Sequence, residues 1–149
     1  MLAKLTFNQT DFKKLFIELV VYAYILVYIY AAVYKLYDRY FFEQQLLLSP
    51  LLGSYAKLLS YLVPWSELLV SVMMMWPRSR TIGLWLSAGI MLGFTLYIAY
   101  ILTLSSYIPC GCGGILASMG WKEHLVFNSV FVLFSIVAIV FTYQRQKTI

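Results

Sequence analysis

Residues 82–104 read "IGLWLSAGIMLGFTLYIAYILTL", an unbroken stretch without a single charged side chain. A helix rises about 1.5 Å per residue and a bilayer's hydrocarbon core is about 30 Å thick, so this stretch is long enough to span. Nothing in it alternates with the two-residue period of a barrel strand, which disfavours a β-barrel. Three more runs of spanning length flank it, at 16–34, 58–76 and 125–143. The run at 58–76 is the weakest, because it contains Pro64 and Glu67. The run at 16–34 is long for the apolar segment of a signal peptide. The "AAVYKLYD" that follows puts Val33, Tyr34 and Lys35 where a cleavage site wants small residues, so it reads as a retained helix.

Composition agrees with a membrane chain. Of 149 residues, 62% are hydrophobic and only 11% charged, against about 25% charged in soluble domains. The length allows one domain, 1–149. The net charge of +5 does not suggest nucleic-acid binding, since the basic residues punctuate apolar runs instead of clustering. The fold class expected is all-α: a polytopic bundle of four transmembrane helices, with membrane lipid as its surroundings.

Basic residues set the orientation. Seven of them (Lys4, Lys13, Lys14, Arg78, Arg80, Arg145, Lys147) fall on one side, and four (Lys35, Arg39, Lys57, Lys122) on the other. Both termini are therefore expected in the cytoplasm of a bacterial inner membrane, and the 105–123 loop outside. Residues 1–15 read as a short cytoplasmic lead-in. The first outer loop, "KLYDRYFFEQQLLLSPLLGSYA" at 35–56, is too polar to span and too apolar to be free. Its Phe41, Phe42, Leu46, Leu47 and Leu48 suit a short interfacial helix that ends before Pro50. No internal repeat is visible, which disfavours a solute carrier.

The third loop holds both cysteines of the chain, in "SSYIPCGCGGILASMG" at 105–120. A disulfide between Cys110 and Cys112 would close a very small ring, and departure from relaxed geometry makes such a bond easier to reduce. Gly111, Gly113 and Gly114 supply the backbone freedom this ring requires. Three readings are open: a redox dithiol, a structural bridge, or a metal site. A closed zinc site wants four ligands and only His124 is an obvious third, so no metal is expected. A bridge across one residue removes little chain entropy, which weakens the structural reading. Exchange chemistry is favoured, on a side of the membrane where disulfides persist. With no second cysteine pair, electrons would pass to a partner protein or a quinone.

Other polar groups mark the spans. Glu67 lies inside an apolar run, one turn after Pro64 on the same face, and an intramembrane carboxylate points to function. Lys35 and Asp38 share a face at the end of the first run. A Lys35–Glu67 contact would neutralise both, as a structural pair or in a proton or quinone role. His124 and Asn128, four residues apart, open the last run. His124 suits a base for a thiol, a hydrogen bond to a quinone oxygen, or an interfacial position. Gly89 and Gly93 form a G-x-x-x-G, expected to pack within the bundle, with homodimerisation as the alternative.

The segments "YKLYD", "PWSELL" and "PCGCGG" together resemble the MauE family, within the DoxX-like four-helix membrane proteins, over residues 24–141. The resemblance implies a role in maturing a disulfide-rich client, the methylamine dehydrogenase small subunit in the family. Cys110 and Cys112 would then serve periplasmic disulfide formation with a thioredoxin-like or client partner, as a thiol–disulfide oxidoreductase. DoxX-like relatives imply an alternative in quinone-coupled thiol or sulfur oxidation. The rival class is a membrane scaffold with a structural dithiol.

Overall fold

The computed structural model describes residues 9–104 and 120–147. All the regular structure in them is helical: α1 (Gln9–Tyr37), α2 (Arg39–Leu47), a 3-10 turn (Gly53–Tyr55), α3 (Ala56–Met75), α4 (Arg80–Leu104) and α5 (Trp121–Lys147). The four long helices are each long and apolar enough to cross a membrane, so the chain is a multi-pass membrane protein.

The helices outrun the apolar stretches of the sequence. At 29 residues, α1 is about 43 Å long, so it continues past the hydrocarbon at both ends. Its first turns contain Lys13 and Lys14, which a helix tolerates once their charges reach the polar headgroup layer. The lead-in expected at 1–15 is thus helical from Gln9.

Local chemistry sets the breaks. Asp38 N-caps α2, its carboxylate accepting from the Phe41 N–H at 3.2 Å. This lets the chain leave α1 and start a new helix within one residue. α2 stops before Pro50, which biases Ser49 against helix. α3 stops at Met75, with Trp76 extended ahead of Pro77.

Packing follows an up-and-down order. α1 lies against α3 and α5, α4 lies against α3 and α5, and α2 rests on α3. Arg80 at the start of α4 donates to Glu18 near the start of α1 at 2.6 Å, and Lys13 donates to Gln144 near the end of α5 at 2.7 Å. These contacts tie one end of the bundle together. The core joins Val21, Tyr24 and Tyr28 of α1 to Val70 and Met74 of α3, Leu84 and Met91 of α4, and Ala138 of α5. Phenol hydroxyls inside a membrane need partners. Tyr28 donates to the Ser87 carbonyl at 2.7 Å and Tyr24 to that of Phe131 at 3.0 Å. The interfacial helix splits its apolar residues: Phe42 and Leu46 are buried against Ala56 of α3, while Phe41, Leu47 and Leu48 face outward.

The glycines of α4 divide unexpectedly. Gly89 and Gly93 are exposed, and a Cβ on either would meet no atom within 4 Å. Intramolecular packing of the G-x-x-x-G is therefore corrected: the close approach is at Gly83, where a Cβ would sit 2.8 Å from Met74 Cγ and 3.0 Å from the Met74 backbone nitrogen. Only hydrogen at that position lets α4 meet α3. Gly83→Ala is expected to destabilise the protein by about 1–3 kcal/mol through overpacking. Gly89→Ala and Gly93→Ala should stay within about 0.5 kcal/mol. Unfolding in mixed micelles measures all three. A large loss at Gly89 or Gly93 instead would place the pair in a contact between copies.

Candidate functional site

Lys35 occupies the last turn of α1, and Glu67 the middle of α3. The Lys35 ammonium donates to both carboxylate oxygens of Glu67, at 2.7 and 2.9 Å. Glu67 is 1% exposed, while the Lys35 side chain keeps 15% of its surface. The ammonium also lies over the rings of Phe42 and Phe94, 5.8 and 5.6 Å from their centroids, where the negative ring faces favour a cation. The carboxylate is thus neutralised by a partner that enters from the helix end. Pro64, fully buried one turn earlier, lacks the N–H that would close a bond to Ser60. α3 nevertheless runs on through it, and Ser71 donates back to the Glu67 carbonyl at 2.8 Å.

The ion pair forms part of the wall of a cavity of about 820 Å³. All five helices contribute to it: Tyr28 and Tyr34 from α1, Phe42 and Gln45 from α2, Val63 and Glu67 from α3, Phe94 and Tyr97 from α4, and His124, Phe127 and Asn128 from α5. Most of the lining is apolar or aromatic. Tyr30, Leu62 and Leu96, exposed on the outer faces of their helices, also border it. The space is therefore reached from the surface that faces lipid.

Lys35, Asp38, Glu67, His124 and Asn128, far apart in sequence, all line this one cavity. Asp38 caps α2 and is not the partner of Lys35. Asn128 is 3% exposed. The His124 backbone N–H donates to the Gly120 carbonyl at 2.9 Å, which fixes the first turn of α5. Cys110 and Cys112 lie outside the described residues. The segment carrying them joins Leu104 to Gly120, and the cavity is lined by Tyr100 and Trp121 close to those two attachment points.

Sequence reasoning missed Gln45. Its Oε1 is, among the described residues, the one buried side-chain oxygen or nitrogen without a hydrogen-bond partner. The available signal was its position three residues after Phe42 on a short helix. That spacing puts the amide on the face that turns toward the bundle.

Chemically, the cavity offers a neutralised ion pair, two amides and an imidazole within a largely apolar, aromatic space. A search of curated proteins and a search of solved structures each returned no match. The family model described as "Methylamine utilisation protein MauE" matches residues 13–141. That span takes in most or all of each crossing helix, every residue lining the cavity and the cysteine segment, and the chain therefore belongs to the MauE family.

Proposed function

We propose that this protein sits in a bacterial inner membrane with both termini in the cytoplasm and passes disulfides to a periplasmic client or thioredoxin-like partner through Cys110 and Cys112. The observation that carries the reading is the tether. The only two thiols of the chain lie one residue apart, in the stretch of sequence that joins α4 to α5, and both of those helices contribute to the cavity wall. The family's description ties its members to methylamine utilisation, and the disulfide-rich client that the resemblance implies suits an easily reduced disulfide between Cys110 and Cys112 as its oxidant.

In the proposed reaction a client thiolate attacks one sulfur of the Cys110–Cys112 disulfide and forms a mixed disulfide. The client's second thiolate then attacks that bond. The client leaves oxidised by two electrons, and both cysteines are left reduced. A single-cysteine variant lacks one of the two exits from the mixed disulfide. Cys110→Ser or Cys112→Ser is therefore expected to accumulate a reductant-sensitive adduct, identifiable by mass spectrometry. After reduction, a membrane-impermeant thiol reagent should label the wild-type pair in intact spheroplasts. Labelling only after permeabilisation would reverse the orientation and end the periplasmic reading.

A further inference from the structure

We propose that the cavity binds an organic cation, an ammonium group carried on an apolar tail, with Asp38 as its counter-charge. The site stands apart from the disulfide chemistry and rests on the charges and rings of the cavity wall.

The volume, about 820 Å³, lies within the range of about 300–1,000 Å³ usual for ligand sites. Leu62 and Leu96 border it and are exposed on the outer faces of their helices, so an apolar tail enters from lipid. Charge decides what headgroup follows. Lys35 and Glu67, both in the wall, cancel each other through two hydrogen bonds. Asp38 is also in the wall, and among the described residues it belongs to no ion pair. The neighbouring Arg39 is held by Glu43 at 2.6 Å. Asp38 Oδ1 accepts from the Phe41 N–H, and its Oδ2 accepts nothing among the described residues. The residue is exposed, so a ligand reaches that second oxygen. Asp38 is thus the uncompensated charge of the wall, and a cleft of one sign with low-dielectric walls gathers ions of the other. A carboxylate or phosphate would be repelled by Asp38 and would find Lys35 already committed.

The rings around Asp38 favour the same guest. Tyr34, one turn before it, and Phe41, one turn after it, line the cavity with it, and the Asp38 N–H donates to the Tyr34 carbonyl at 3.1 Å. Aromatic faces attract ammonium groups. The wall already shows this chemistry once: the Lys35 ammonium rests on a carboxylate, 5.8 and 5.6 Å from the ring centroids of Phe42 and Phe94. At Asp38 the carboxylate and the rings are present without an ammonium of the chain's own. A neutral hydroxyl would meet the free oxygen but gain nothing from the charge. In a membrane, an ammonium on an apolar tail comes either as a free alkylamine or as the ethanolamine headgroup of a phospholipid.

The test uses the full chain in maltoside micelles, which carry no charge, with radiolabelled octylammonium as probe. Saturable binding is expected. Unlabelled octanol and octanoate, of the same tail length, should compete at least tenfold more weakly. Asp38→Asn is the decisive variant, because asparagine caps a helix about as well as aspartate while removing the charge. It should weaken octylammonium binding about tenfold, the effect of losing one hydrogen bond to a charged group, and leave the unfolding midpoint unchanged. Phe41→Leu should weaken it about threefold. Phosphatidylethanolamine and phosphatidylglycerol, added separately to the micelles, distinguish the two sources. Displacement of the probe by phosphatidylethanolamine alone identifies the lipid headgroup as the ligand. Displacement by neither lipid identifies the free alkylamine. Displacement by phosphatidylglycerol as readily as by phosphatidylethanolamine overturns the proposal, since the cavity would then select tails and not charge. So does octanol competing as well as octylammonium, the absence of saturable binding, or an Asp38→Asn variant that binds like wild type. None of these results bears on whether Cys110→Ser or Cys112→Ser accumulates a client adduct, so this site and the disulfide function fail separately.

Discussion

Lys35→Met, with Glu67 retained, should destabilise the bundle by about 3–5 kcal/mol, the usual cost of leaving one member of a buried ion pair alone. Glu67 is 1% exposed and accepts twice from Lys35. Without the ammonium, its charge would have to be carried in the membrane or be lost by taking up a proton. Glu67→Gln should cost less, about 1–3 kcal/mol, because the Lys35 side chain keeps some exposed surface and can extend toward the interface. The double variant Lys35→Met/Glu67→Leu should recover most of the loss, since two apolar side chains ask nothing of each other. A double-mutant cycle in mixed micelles measures the coupling. A single Lys35→Met variant as stable as wild type would show that the pair is weak and that another group compensates Glu67. Activity adds a separate readout. If an ionisable group is required at the cavity wall, Glu67→Gln should lose more activity than Glu67→Asp. A fully active Glu67→Gln would restrict the residue to hydrogen bonding and packing.

Replacing either Cys110 or Cys112 by serine should abolish client oxidation while leaving membrane insertion and abundance nearly unchanged. The ring between them encloses one residue, and stabilisation by a disulfide grows with the length of chain it closes. Losing it should therefore cost the fold little. Exchange, by contrast, needs an attacking thiolate and a second thiol within reach. Quantitative blotting of membranes beside an assay of client disulfide content separates the two effects. A structural bridge gives the opposite pattern: both single variants and the double variant fall in abundance together, and no adduct forms. A fully active double variant would make the dithiol dispensable and favour a scaffold.

Membrane thickness made the four crossings legible in the sequence. An apolar run of about 20 residues has one cheap conformation in hydrocarbon, the helix that satisfies its own backbone. Lys35 and Glu67 were legible for a related reason. A charge inside a span is costly enough to demand a partner, and few candidates exist. The cysteine pair was visible as chemistry, because adjacency along the chain holds in any fold.

The facing of each helix was not legible. A soluble helix betrays its inner face by an apolar stripe, but in lipid both faces are apolar. α4 therefore carries no sequence signal that separates Gly83, pressed against Met74, from Gly89 and Gly93, which meet open space. The familiar glycine spacing drew attention to the wrong pair. Gln45 shows the same limit from the polar side. An amide in a loop between two crossings ordinarily meets water, and only the folding of α2 onto α3 buries its oxygen at a cavity wall. The sequence by itself determined how many times this chain crosses the membrane, which residues carry charge inside it, and where its thiols stand along the chain. Tertiary structure alone decided which faces meet and that five helices leave a cavity at Lys35 and Glu67. The physical reason is that lipid rewards apolar surface equally in all directions, so close packing and the pairing of a few polar groups choose the arrangement.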